Sequence, residues 1–183
     1  MTTFTVWKFD DADGADHAAE ILRNAEADGL VKVEDHAIVR WPAGADHPST
    51  AHGHEGPWKA AGWGAIFGLL IGTLFFVPLV GGLAGAALGA LGRATEDAGI
   101  TKEQLETIRT QVTAGTSALF AVTEQGDLDR LGERFRGMRT SLIATNLTDA
   151  ERDVLFETFG GARAGSTDQN GVGMRGTDKS GAR

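Results

Sequence analysis

Thirty-three consecutive residues without a charge, Ala60–Gly92, lie between Lys59 and Arg93. A run of this length is a candidate membrane segment by length alone. Pro78 interrupts the run, and proline lacks the N–H group that a continuous helix needs. The run therefore predicts two helical arms joined near residues 77–81.

Glycine recurs at every fourth residue in both halves of the run. Positions four apart share one face of a helix, so each arm carries a strip of bare backbone opposite a strip of large apolar side chains. Bare strips let two helices approach closely, which is a main source of helix association in lipid. In water each of these glycines would cost about 1 kcal/mol relative to alanine. The predicted helix-packing residues are Gly64, Gly68, Gly72, Gly81, Gly85 and Gly89.

The flanks and lengths of the arms leave more than one environment open. Trp58 and Trp63 lie at the entrance to the run, and indole rings favour the membrane interface. Each arm offers about 13–18 apolar residues, or roughly 20–27 Å of helix, against a hydrocarbon core of about 30 Å. The hairpin therefore spans a thinned bilayer, enters and leaves on one side, or is buried in a soluble homo-oligomer.

Composition excludes several classes of protein. The chain has 183 residues, which suits one domain, and its net charge of −8 argues against a general nucleic-acid binder. Cysteine is absent, which excludes disulfides, cysteine zinc sites, iron–sulfur clusters and thiol nucleophiles. No basic segment followed by an apolar core opens the sequence, so we expect no signal peptide and a cytoplasmic start.

Outside the apolar run, strand and helix patterns alternate. Strands are predicted at 4–9, 31–41, 117–123 and 140–146, and helices after the Asp-rich turn 10–16, from Thr101, from Asp127 and from Thr148. Residues 42–57 predict a loop or irregular strand, with a turn at 42–44 that forms a hairpin tip. This order predicts an α+β fold, a ferredoxin-like split βαβ sandwich with the apolar glycine-zipper helical hairpin inserted between its halves.

The predicted organisation has four parts. Residues 1–57 form the first half of the sandwich plus a loop, 58–93 the hairpin and 94–160 the second half. Residues 161–183 are rich in Gly, Ser, Asp and Arg and predict a disordered tail.

Local signals define two helix ends. Gly29 is a natural stop for the first helix. Thr101 and Gln104 form a capping box, and Ile100 can pack against Leu105 as a hydrophobic staple.

Several segments together are typical of one bacterial family. They are the glycine-rich run, DAGI before the helix at 101, GTSALFAV at 115–122 and the TSL…L…E pattern at 140–151. Over about residues 3–160 the chain resembles domain-of-unknown-function family 1269. The resemblance implies a membrane location and this architecture, and it implies no catalytic residue. Residues 42–57 depart from the Gly-turn hairpin with a Lys-rich return strand expected of the family.

Three histidines make a weak candidate metal site. His47, His52 and His54, with Asp46 and Glu55, offer suitable ligands for a divalent ion. The glycine and turn residues among them favour a solvated loop instead, and no second ligand pair has metal-site spacing. We therefore predict no metal.

Two further charged clusters have structural explanations. Acids near residues 11–20 match part of an EF-hand loop, but a phenylalanine stands where the first Asp is needed, so helix capping accounts for them. Arginines at 130–139 would suit anionic lipid headgroups, yet interleaved acids favour a solvated face. The residues concerned are Phe9, Asp11, Asp13, Gly14 and Glu20, and Arg130, Arg134, Arg136 and Arg139.

No P-loop, dinucleotide fingerprint, HExxH or G-x-S-x-G motif is present, and Ser117 is interpreted as a strand residue. No cofactor is predicted.

The leading hypothesis is a non-enzymatic bacterial membrane-associated protein whose hairpin inserts in the bilayer and drives homo-oligomerisation. Its soluble domain lies on the cytoplasmic side of the inner membrane. The alternatives are a soluble, cytoplasmic self-assembling protein that buries its hairpins in a ring, shell or filament, and a small-ligand-binding or enzymatic α+β domain.

Overall fold

The computed structural model describes residues 2–52, 63–76, 99–126, 133–135 and 137–147. These residues form an α+β arrangement in which helices cover both faces of a five-stranded antiparallel sheet. The predicted α+β class is confirmed.

The sheet has the strand order β3-β2-β4-β1-β5, and each pair of neighbours is antiparallel. The first strand of the chain therefore lies between the two last ones. The fold confirms the four predicted strands, and the short β3 falls within the segment predicted as a loop or irregular strand. The strands are β1 (Thr2–Phe9), β2 (Val31–Trp41), β3 (Ser49–His52), β4 (Thr116–Gly126) and β5 (Thr140–Thr145).

Tight turns position these elements as the sequence predicts. The Ala45 N–H donates to the Pro42 carbonyl at 3.1 Å, which makes the turn at 42–44 the tip of the β2–β3 hairpin. Gly29 follows the first helix with a φ of 71°, the left-handed conformation that glycine adopts without strain. The helices are α1 (Gly14–Ala27), α2 (Trp63–Ile71), which continues as a π-helical stretch (Gly72–Phe76), and α3 (Lys102–Gln111).

The predicted capping box at the start of α3 is present in both directions. The Thr101 hydroxyl accepts the Gln104 N–H at 3.2 Å, and the Gln104 side chain accepts the Thr101 N–H at 3.1 Å. Ile100 is buried, and Leu105 packs against the same cluster, as the staple requires. α3 ends at Gln111, because Val112 is already extended.

Two apolar clusters lie on opposite faces of the sheet. Successive residues of β4 alternate between them, because side chains of a strand point alternately to either side. One cluster joins the sheet to α1 and to Phe135 in the helical residues 133–135. The other joins it to α2, the π-helical stretch and α3.

A bulge in β2 changes which of its residues face α1. The register with β4 shifts between Val33 and Asp35, which leaves Glu34 as the extra residue. Val33 before the bulge and Ile38 after it therefore belong to the same cluster, although they are an odd number of residues apart. Arg40, on the same side as Ile38, reaches α1 as a result.

Several predictions fall outside the described residues. They concern the second arm with Gly81, Gly85 and Gly89, the entrance residue Trp58, His54, the helix from Thr148 and the tail 161–183.

Candidate functional site

The uncharged arm α2 lies across the sheet with one face buried. Phe67, Leu70, Ile71 and Leu74 follow helical spacing, and each is at most 8% exposed. The Phe67 ring lies 6.2 Å, centroid to centroid, from the ring of Phe120 on β4 and from that of Phe4 on β1. The inner face of this arm thus forms part of the core.

The glycine strip of the same arm points away from the sheet. Gly68 is exposed, and Gly64 and Gly72 are half-buried. A Cβ atom added at Gly68 or Gly72 would meet no atom of the described residues within 4 Å. Ala65 beside them is also exposed. The first arm therefore presents an uncharged strip of small residues on its outer side, the glycine ridge formed by Gly64, Gly68 and Gly72. It lies opposite the large apolar side chains of the arm, as the spacing predicts.

The far end of the arm rests on the β2–β3 connection. Phe75 in the π-helical stretch meets Trp41 edge-on at 6.2 Å, and the Trp41 indole N–H donates to the Ala45 carbonyl at 2.8 Å. The Phe76 ring lies 6.3 Å from that of His47. Aromatic contacts therefore fix the arm just before Pro78 in the sequence.

Of the two tryptophans predicted at a membrane interface, the structure describes Trp63. Its ring lies 6.3 Å from Phe67, and the residue packs partly buried against the apolar cluster under α2. Trp58 lies outside the described residues.

The structure describes only part of the predicted histidine cluster. His47 is exposed, and its ring Nδ1 lies 3.4 Å from the Pro48 carbonyl oxygen. His52 pairs with Ala37 through the β2–β3 ladder, and His54 is not among the described residues. Within those residues, no three His, Asp or Glu side chains are grouped so as to hold a metal ion.

The acids near the start of α1 have structural roles, but not the capping role predicted for them. Asp13 at the N-cap makes no side-chain capping bond. The hydroxyl of buried Ser117 on β4 accepts the Ala15 N–H at 3.0 Å instead. Asp16 forms a two-pronged, half-buried ion pair with Arg40, which lowers the pKa of the Asp16 carboxyl chiefly through its hydrogen bonds. Sequence reasoning missed the capping role of Ser117, because no local signal marks a cap supplied from residue 117.

The arginine cluster is divided in the structure. Arg134 is paired with Asp28 at the end of α1, and Arg139 is exposed. Arg130 and Arg136 lie outside the described residues. This ion pair ties Arg134 to the end of α1.

A family model described as "Protein of unknown function (DUF1269)" matches residues 61–160, more than half of the chain. The chain belongs to the DUF1269 family. The DUF1269 match begins at the arm, so it leaves out β1 to β3, which the resemblance over residues 3–160 was expected to include. No curated protein and no solved structure matches the chain.

The length and hydropathy of a helix decide whether it can cross a membrane. None of the helices in the described ranges is both long and apolar enough to cross one.

Proposed function

We propose that this DUF1269 protein is a non-enzymatic, membrane-associated protein whose glycine-zipper hairpin, residues 58–93, enters the bilayer and joins copies of the chain through its glycine strips. The outer face of α2 carries the proposal. It has no charge, exposes Ala65 and Gly68, and leaves space above Gly68 and Gly72. A helix that is apolar on all sides is stable when apolar groups surround it, and the sheet covers only the inner face of α2.

The finer architecture that we propose is a ferredoxin-like split βαβ sandwich with a glycine-zipper hairpin as its insertion. Two features support it. β1 and β2 flank β4 and are joined by α1, and β5 returns beside β1. The uncharged run departs from the chain between β3 and α3, at the junction of the two halves. The first arm, α2, lies on the same sheet face as α3.

The partners in this proposal are the lipid bilayer and a second copy of the chain. A hairpin places both of its flanks on one side of the membrane, which suits a domain interrupted by an insertion. The family resemblance supports a membrane location, and we place the folded domain on the cytoplasmic side of a bacterial inner membrane in this proposal. Apolar side chains and bare backbone, rather than charge, provide the contact.

A soluble self-assembling protein is the second candidate. The observation that favours it is the inner face of α2, which packs on the chain's own sheet as a core helix does. In that case the outer glycine ridge would meet other copies inside a ring, shell or filament.

Vesicle flotation of the full chain, combined with size-exclusion chromatography and light scattering without detergent, tests both candidates. We expect the protein to float with phosphatidylcholine vesicles. A large particle of defined size that does not float with the vesicles would support the second candidate. A compact monomer that stays in the high-speed supernatant would contradict both.

Gly68→Leu tests the glycine ridge itself. Since open space lies above Gly68, the leucine should leave the protomer folded but hold a second helix away, so we expect a smaller particle. Glu103→Leu places the same side chain on an exposed position of α3 and is the matched control. An unchanged particle size in Gly68→Leu would show that the ridge is not the contact.

A further inference from the structure

The helices that flank the sheet are held in different ways. α1 is tied to the sheet by polar groups: Asp16 to Arg40, the Ala15 N–H to Ser117, and Glu26 to the Val33 N–H at 3.0 Å. α3 is tied to β5 by the Gln104 side-chain amide, which donates to the Thr145 carbonyl at 2.6 Å. These bonds fix the position of each helix as well as its burial.

α2 and the π-helical stretch have no tie of this kind. Among the described residues, no side-chain hydrogen bond or ion pair joins 63–76 to a strand or to the β2–β3 connection. Their contacts are apolar and aromatic, with Phe67 on the sheet and Phe75 and Phe76 at the far end.

This difference matters where lipid is available. Apolar contacts are non-directional, and acyl chains can supply equivalent surroundings for the same side chains. A hydrogen bond broken on entering lipid would leave both of its partners unsatisfied. Lipid can therefore replace what holds α2 but not what holds α1 and α3.

We propose that residues 63–76 form a detachable cover, which lies on the sheet in water and moves into the lipid when the protein meets a bilayer. This inference rests on the membrane association proposed above. In water, burial of Phe67, Leu70 and Ile71 keeps the cover closed. At a bilayer the exposed outer face, with Ala65 and Gly68, gains cover as well, and the uncovered sheet face around Phe4 and Phe120 lies against the same lipid.

Spin-label distance measurements on the full chain test the cover, and the absence of cysteine makes every introduced label unique. One pair joins Arg23→Cys on α1 to Ala65→Cys on α2, and a control pair joins Arg23→Cys to Arg109→Cys on α3. All three positions are exposed. Distances are measured in buffer and on floated phosphatidylcholine vesicles.

We expect the 23–65 distance to lengthen and broaden on vesicles while the 23–109 distance stays unchanged. If the protein floats and the 23–65 distance does not change, the cover stays closed; the inference is then wrong while the membrane proposal stands. If the protein does not float, the membrane proposal and the cover both fail. If both distances change, the whole domain rearranges and the cover is not a separate unit.

A locked variant gives a second measurement. His47→Cys and Phe76→Cys replace two partly exposed rings that already lie 6.3 Å apart, and a short bismaleimide joins them. After circular dichroism confirms the fold, we expect the locked protein to float several-fold less than the same variant before cross-linking. Equal flotation with and without the cross-link would contradict the inference.

Discussion

Ser117 is a residue from late in the chain that completes a helix near its start. Its buried hydroxyl accepts the Ala15 N–H and donates to the Asp11 carbonyl at 2.7 Å. The first turn of α1 would otherwise leave that N–H without a partner in the core. One hydroxyl therefore links β4 to the turn that precedes α1.

Ser117→Ala should lower the free energy of unfolding by about 1–2 kcal/mol, because it removes a helix cap and leaves a buried N–H unsatisfied. Urea denaturation at fixed protein concentration measures the change. Ser49→Ala, at an exposed position of β3, is the control and should be close to neutral. Equal stability of the two variants would refute the capping role.

The Asp16–Arg40 pair predicts a loss of stability in acid. Hydrogen bonds from Arg40 hold the pKa of the Asp16 carboxyl below its ordinary value. The stabilisation is therefore complete above about pH 4, the ordinary range for aspartate, and is lost as the pH falls through the lowered pKa. The difference in unfolding free energy between the wild type and Asp16→Asn should be constant from neutral pH to about pH 5 and shrink below about pH 4.

Urea denaturation across this pH range measures that difference. Asp46→Asn, on the exposed β2–β3 connection, is the matched control for removing one carboxylate. A difference between wild type and Asp16→Asn that is as large at pH 3 as at pH 7 would count against the pair.

Two glycines should respond to alanine in opposite ways. A Cβ at Gly14 would lie 2.6 Å from the Phe9 Cβ, so Gly14→Ala should lower stability by about 1–3 kcal/mol. A Cβ at Gly68 meets nothing within 4 Å, so Gly68→Ala should raise protomer stability by about 0.5–1 kcal/mol through helix propensity. Thermal unfolding of both variants checks the signs; shifts in the same direction would be inconsistent with these surroundings.

At the scale of the element, the period of the sequence predicts which face of α2 is buried but not what buries it. Phe67, Leu70 and Leu74 were expected opposite the glycine strip, and the structure places them there. The expected partners were lipid or another helix, whereas the sheet is the partner that the structure shows. Periodicity records apolar surroundings, and a sheet, a helix and a bilayer all provide them.

The capping box at the start of α3 also connects the helix to the sheet, because the Gln104 side chain donates a hydrogen bond to the Thr145 carbonyl on β5. Thr101→Ala should lower the unfolding free energy by about 1 kcal/mol, the usual value of a cap. Gln104→Ala should cost more, because the bond to β5 goes as well. Chemical denaturation of both variants, with exposed Thr110→Ala as the control, tests the order; a smaller loss for Gln104→Ala would contradict the link to β5.

At the scale of the whole molecule, the strands were predictable and their order was not. Alternating apolar residues mark each strand locally, but β1 pairs with β4 and β5 across more than a hundred residues. Part of that pairing is made by a side chain: the Asn146 amide accepts the Phe4 N–H at 2.8 Å and donates to the Thr2 carbonyl at 3.2 Å. Contacts of this range leave no signal in a local window, so only a fold pattern could suggest them.

The strand order predicts where the domain is most resistant to opening. β4 is paired on both sides, with β2 and β1, whereas β3 is a four-residue strand paired to β2. Hydrogen exchange followed by mass spectrometry should show the slowest exchange in β4 and much faster exchange in β3. Equal protection of β3 and β4 would mean that this sheet does not open from the β3 edge.

The sheet that α2 covers is completed by strands that follow α2 in the chain. Residues 63–76 are translated before residues 116–126 of β4, and at ordinary synthesis rates the interval between them is on the order of several seconds. At this stage the nascent chain carries an apolar helix whose sheet still lacks β4 and β5. The order of synthesis thus gives a chaperone, an insertase or a membrane first access to α2, before the finished domain can compete for it.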